Sequence, residues 1–335
     1  MSIDLDYYLQ IAAQHPSMDL YLAEGRLPVL KGPHGLTALS GVEPVAYESL
    51  YPLLKIKFGA LERESWERRG SCRFRIEASE IAFRIDLARE SRGVIAIIRP
   101  VAHDLPNLDS LGVPEGVKSL LLKSNGLILF VGPGSSGLTT LSSSFAAALC
   151  QTRSLRARIL DSDPEWILPR GQSLLIKGSP SASLSDDIQA SHIAGTDLFV
   201  FGDVEPSSLN SVLEASAGGA LVLANLRASS CVHALERIQG VTSLFTRVLC
   251  GIVCTHLIPN ASGAGLSVAW DILINTHQVA EAINSGELQG IPQLQSVGSA
   301  EGMINLDDSL SLLQKHGKIT KNEAQIRAHE PQRFE

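Results

Sequence analysis

From Val117 onward, short apolar runs alternate with stretches of helical pattern, and this alternation limits the fold more than any other feature of the chain. The runs are LILFV (127–131), ARILD (157–161), SLLIKG (173–178), DLFVFGD (197–203) and GALVLANL (219–226). Between several of them lie stretches such as LTTLSSSFAAALCQT (138–152) and PSSLNSVLEASAGG (206–219). Strands that are apolar at every position must be covered on both faces. Alternation with helices supplies that cover in an α/β domain built on a mostly parallel sheet.

The first of these strands runs into GPGSSG. Gly132, Pro133, Gly134, Ser135, Ser136 and Gly137 are followed by Leu138, Thr139 and Thr140. A phosphate-cradling loop has the form G-x-x-x-x-G-K-[ST] between a strand and a helix, so that backbone amides and a helix N-terminus meet the phosphates. Strand, both glycines, hydroxyl and helix are all here, but Leu138 stands where the pattern has lysine. With 28 glycines in 335 residues, chance alone supplies about two such glycine pairs, so the context carries the reading. DLFVFGD adds to that context: it is an apolar strand ending in an acid, the form of a strand that holds Mg2+. A plainer reading makes Asp203 a cap for the helix that follows.

The N-terminal part has a different grammar. A helix is expected in residues 1–30, then a short strand at MDLYLAEG, and helices near 47–60 and 60–69. CRFRIEAS and IAFRIDLARE alternate apolar and charged residues with period two, and GVIAIIRPV is a third strand. Together they predict a small α+β domain over 1–100. PVAHDLPNLDSLGVPEG, with three prolines, reads as a linker over 101–116, and a second domain spans 117–335.

The net charge of −7 excludes the basic excess of a duplex-binding surface, so no nucleic-acid partner is expected. Residues 1–10 lack the layout of a secretion signal, and no apolar run reaches the ~20 residues of a membrane span. Five cysteines at scattered spacings read as reduced thiols of a cytoplasmic protein. Cys250, Cys254 and His256 could form a metal half-site. However, RVLCGIVCTHLI (247–258) reads as an apolar helix in which cysteine packs as a small hydrophobe, and no second ligand pair is evident.

The order of these motifs closely resembles that of the type IV pilus retraction (twitching motility) ATPases of the type II/IV secretion ATPase superfamily, over nearly the whole chain. SMDLYLAEG is similar to an ASDLHL segment, and IAFRIDLARESRGVIAIIRPV to an RFRVNxxxQRGxxxxxxRxIP segment. LPNLDSLGVPEGVKSLLLKSNGLILFVGP matches the approach to the loop, and LDSDPEW resembles the family's acidic box, placing its aspartate at Asp163. VFGDVEP resembles the Walker B segment, LANLRASS takes the place of the histidine box, and EGMINLDDSLSLLQKHGKITKNEA resembles the closing GMxxLDxxLxxLxxxGxIxxxxA pattern.

The resemblance implies an α/β architecture: a PAS-like α+β N-terminal domain, then a RecA-like P-loop core with C-terminal helices. It implies ATP and Mg2+ as ligands, with nucleotide contacts from residues 132–140 and from Arg92, Arg99 and Arg227. It places Mg2+ contacts at Thr139, Asp163 and Asp203, and Asp203 is also the weak candidate for the catalytic acid. As partners it implies further copies in a hexameric ring, an active paralogue, or a pilus platform protein at the cytoplasmic side of a bacterial inner membrane. The departures from the pattern point to impaired hydrolysis. Leu138 replaces the loop lysine, Asp203 the Walker B glutamate and Arg227 the box histidine, IAGTD lacks an arginine, and AGGA stands where the family has AETGH. A slow but genuine ATPase, with Arg227 or Lys123 standing in for lysine, and a scaffold that binds no nucleotide are the two alternatives.

Overall fold

The computed structural model describes residues 5–335 apart from 16–17, 33–34, 79–80, 102–104, 162–165, 167, 170, 179, 182 and 239–243. Two compact units divide the chain, Met1–Asp104 and Leu105–Glu335.

The first unit is a six-stranded antiparallel sheet. Its strands are β1 (Asp19–Ala23), β2 (Val29–Gly32), β3 (Gly35–Ala38), β4 (Ser71–Ala78), β5 (Ile81–Glu90) and β6 (Gly93–Val101), in the order β3-β2-β1-β6-β5-β4. The period-two alternation of β4 buries Cys72, Phe74 and Ile76 and leaves Arg73 and Arg75 exposed. The buried face packs against helices Leu5–Gln14, Leu50–Lys55 and Ala60–Arg69, where Tyr51 stacks on Trp66 and Phe58 meets Phe74 edge-on. Glu24 is buried, but its carboxylate accepts from the amides of Leu50 (3.0 Å) and Val94 (3.1 Å), so its burial is compensated.

The second unit holds the seven-stranded sheet. Its strands are β7 (Gly126–Gly132), β8 (Arg156–Leu160), β9 (Leu174–Gly178), β10 (Leu198–Asp203), β11 (Leu221–Arg227), β12 (Leu249–Pro259) and β13 (Leu266–Ile274), in the order β13-β12-β7-β11-β10-β8-β9. All neighbours are parallel except β12 and β13. Every residue of β7 is buried, and the alternation of side chains divides the core in two. Leu127, Leu129 and Val131 point to one face with Phe199, Val222 and Leu226. Ile128 and Phe130 point to the other, beneath Leu141 and Phe145 of helix Leu138–Thr152. The C-terminal helices close a further small core against β12 and β13, in which Leu306, Leu310, Ile319 and Phe334 meet Ile258 and Ala269.

Two details depart from the sequence reading. Residues 247–258 are not one helix: Arg247 and Val248 end the helix Leu244–Val248, and 249–259 form β12, paired to both β7 and β13. A strand covered on both faces loses its period-two signature, so apolar runs of this kind read equally as helix. Within the stretch read as a linker, Leu108 and Val113 are buried in the second unit's core, and Ser144 donates to the carbonyl of Pro106 (2.6 Å).

Candidate functional site

Parallel sheets expose the carboxyl ends of their strands to ligands, because the turns into the helices gather there. The carboxyl ends of β7, β10 and β11 bring together Gly132, Asp203 and Arg227. Residues 133–137 carry the chain from β7 into helix Leu138–Thr152. Ser135 (φ +62°) and Gly137 (φ +80°) both take left-handed backbone, which turns the chain sharply at the helix entrance. For serine that conformation costs energy, a cost that functional loops commonly carry. Gly137 caps the helix without a side-chain acceptor, so no capping side chain competes for the first helical amides. Thr255 of β12 donates to the Ser136 carbonyl (3.1 Å) and fastens the loop to the sheet. The Ser136 hydroxyl is buried against Gly132 with no hydrogen-bond partner.

Leu138 does not face the loop. It is 3% exposed and packs in the core beneath the helix. Thr139 and Thr140 are half-buried at the helix entrance. Arg227 ends β11 in register with Gly132. Its Nε (2.9 Å) and Nη2 (2.7 Å) both donate to Asp203 Oδ2, so the last residues of two adjacent strands form an ion pair. Its Nη1 lies 4.0 Å from where a Cβ on Gly134 would stand, beside the glycine loop. Arg237 donates to the Arg227 carbonyl and holds the strand end from behind.

A cavity opens beside the helix, lined by Thr139, Ser142, Asp161, Trp166, Lys177 and Asn225 among others. Asn225 is 3% exposed, and its Oδ1 has no hydrogen-bond partner. Asp161 lies so close to Gly202 that a Cβ there would stand 2.7 Å from its Oδ1. Sequence reasoning passed over Asp161, Lys177 and Asn225. Asp161 did carry a signal, since it directly follows a strand of the parallel sheet, whereas Asn225 lies inside an apolar run and Lys177 on an edge strand.

Asp163 lies outside the described residues. In the first unit, Arg92 is exposed in the β5–β6 turn, and Arg99 is paired with Asp19. Lys123 precedes β7, with its carbonyl bound by Arg153 (2.7 Å), at the opposite end of the strand from the loop. At about 3.3 Å per residue that end is roughly 20 Å away, beyond a lysine's reach. Cys250 and Cys254 lie on a strand rather than a helix. Burial pushes both thiols up, Cys254 well above the ordinary range, so neither is disposed to ligate as thiolate. Among the described residues, no cluster of His, Cys, Asp or Glu could hold a metal by itself.

No protein-family model matches the chain. Over 339 residues it is 24% identical to the type IV pilus ATPase PilU of Pseudomonas aeruginosa, covering 96% of this chain and 88% of that protein. It is 21% identical to the pilus retraction ATPase PilT of the same organism, covering 99% of this chain and all of that protein. Over nearly its whole length the chain is similar in sequence to type IV pilus ATPases of the type II/IV secretion ATPase family. Its fold matches a crystal structure of the pilus retraction motor PilT with bound ADP at a TM-score of 0.81 and 22% identity, covering 99% of this chain and 98% of that one. It also matches the ATPase DotB of Legionella pneumophila at a TM-score of 0.79 and 13% identity, covering 96% and 94%. The fold shared with the PilT motor is an N-terminal domain plus a RecA-like core. Among the described residues, no helix is long and apolar enough to cross a membrane.

Proposed function

We propose that this chain is a retraction-ATPase-like subunit that retains a phosphate loop but hydrolyses poorly. It would act in the cytoplasm through assembly, either with copies of itself or with an active relative. The observation that carries this reading is the placement of Leu138. The side chain at the position of the loop lysine is packed in the core, so the loop receives no full positive charge from its own helix. In phosphoryl transfer that charge offsets the negative charge spreading over the transferred group, and its loss weakens both binding and turnover. Asp203 supports the reading from the other side: its carboxylate, which takes two hydrogen bonds from Arg227, stands one methylene short of a glutamate's reach.

The loop amides and the helix N-terminus can still attract phosphate without lysine. Thr139, Asp161 and Asn225 Oδ1 offer the hard oxygen donors that Mg2+ takes, and they share one cavity, so this set fits the metal. When bound, Mg2+ would neutralise phosphate charge. A slow but genuine ATPase is the second reading, favoured by the approach of Arg227 to Gly134. Lys123 has no part in it.

Calorimetric titration of the purified protein with ATP, with and without Mg2+, tests the proposal. The expected result is weak but measurable binding that Mg2+ strengthens. Absence of any binding, with or without Mg2+, would leave a scaffold.

A further inference from the structure

Arg227 has two anionic claimants. Asp203 holds its Nε and Nη2 at 2.9 and 2.7 Å, while its Nη1 stands at the edge of the glycine loop beside Gly134. The pair is half exposed, with side-chain exposures of 48% and 49%, so solvent screens it and it is weak enough to exchange partners. The loop itself bears the marks of an anion cradle beyond its helix N-terminus. Ser136 is 3% exposed and carries a hydroxyl without a partner, folded inside the loop against Gly132. Arg227 is fixed in place for this role by its register with Gly132 and by the hydrogen bond from Arg237 to its carbonyl.

We infer that Arg227 is the cation of the phosphate site and that Asp203 competes with the ligand's phosphate for it. The inference rests on reading residues 132–137 as a phosphate cradle. A guanidinium presents its donors as a rigid fork, so it can leave a carboxylate for a phosphate by a small side-chain rotation. The competition couples the loop to the end of β10: a phosphate that draws Arg227 away releases Asp203, and Asp203 in turn lowers the affinity of the loop. The two effects are equal in size, because binding linkage is reciprocal.

The two roles open to Asp203 predict opposite signs. If it held a metal, its loss would weaken binding. If it competes for Arg227, its loss strengthens binding, even with metal withheld. The test is ADP titration by calorimetry in EDTA for the full-length wild type, Asp203→Asn, Arg227→Ala and the double variant. An exposed ion pair is worth at most about fivefold. Asp203→Asn should therefore tighten ADP by about threefold to fivefold, and Arg227→Ala should weaken it by a similar factor or more. In the Arg227→Ala background, Asp203→Asn should change affinity by less than about 1.5-fold. Arg227→Lys keeps a charge without the fork, should fall between wild type and Arg227→Ala, and serves if the alanine variant unfolds. Equal tightening by Asp203→Asn in both backgrounds would reduce the effect to removal of a negative charge and overturn the competition while leaving the phosphate loop standing. Failure of wild type and every variant to bind ADP would overturn the loop reading and the competition together.

Discussion

At the scale of single residues, Leu138, Asp203 and Arg227 decide what the glycine loop can hold. That lysine is missing was legible in the sequence, because the loop pattern fixes the position. Where the replacement goes was not legible: a leucine at a helix start can face solvent or core, and only the packing of the surrounding helix and sheet decides. The Arg227–Asp203 pair was equally hidden, since the two residues lie 24 positions apart and meet only because β10 and β11 are neighbours in the sheet. Leu138→Lys should strengthen ATP binding more than it raises turnover, because the carboxylate of Asp203 still stands one methylene short of a glutamate's reach. It should also cost about 1–3 kcal/mol of stability through the apolar burial it gives up, readable by urea unfolding. Adding Asp203→Glu should raise turnover more than either change alone, since groups that act as a unit are not additive. A double variant with wild-type turnover would mean that another part of the site blocks the reaction.

At the scale of elements, the parallel sheet was legible because its strands are short, apolar and separated by helical patterns. β12 was not, because burial on both faces removes the alternation that marks a strand. Its β-branched residues Ile252, Val253, Thr255 and Ile258 were the remaining signal. β12 also fastens the glycine loop through Thr255. Thr255→Val keeps the shape of the side chain and removes the hydrogen bond to the Ser136 carbonyl. It should lower stability by about 1 kcal/mol and raise hydrogen exchange at residues 135–137. Unchanged exchange there would show that the loop is held by other contacts.

At the scale of the whole molecule, both units bury full cores, and the second contains a titration-sensitive point. His256 of β12 is buried, and that burial is the main cause of a pKa below the ordinary value of 6.5. The nearby Asp271 and a hydrogen bond involving the Ser229 backbone oppose the shift, while Arg327 and His329 add to it. The unfolded chain therefore binds a proton more readily than the folded one. This histidine's contribution is fully present above pH 6.5 and is lost as pH falls below it. The drop in melting temperature between pH 7.5 and 5.5 should be smaller in His256→Asn than in wild type, and an equal drop would remove His256 from the account. The family resemblance in residues 301–324 falls largely on buried positions, Met303, Leu306, Leu310, Ile319 and Ala324, and so reflects how the C-terminal helices pack. The most direct test of the central claim is the rate of phosphate release at saturating Mg2+ and ATP, measured beside an active retraction ATPase. With no lysine at the loop and the carboxylate of Asp203 one methylene short of a glutamate's reach, the rate should be at least about a thousandfold lower. A rate equal to that of the active enzyme, abolished by Asp203→Ala, would contradict the account.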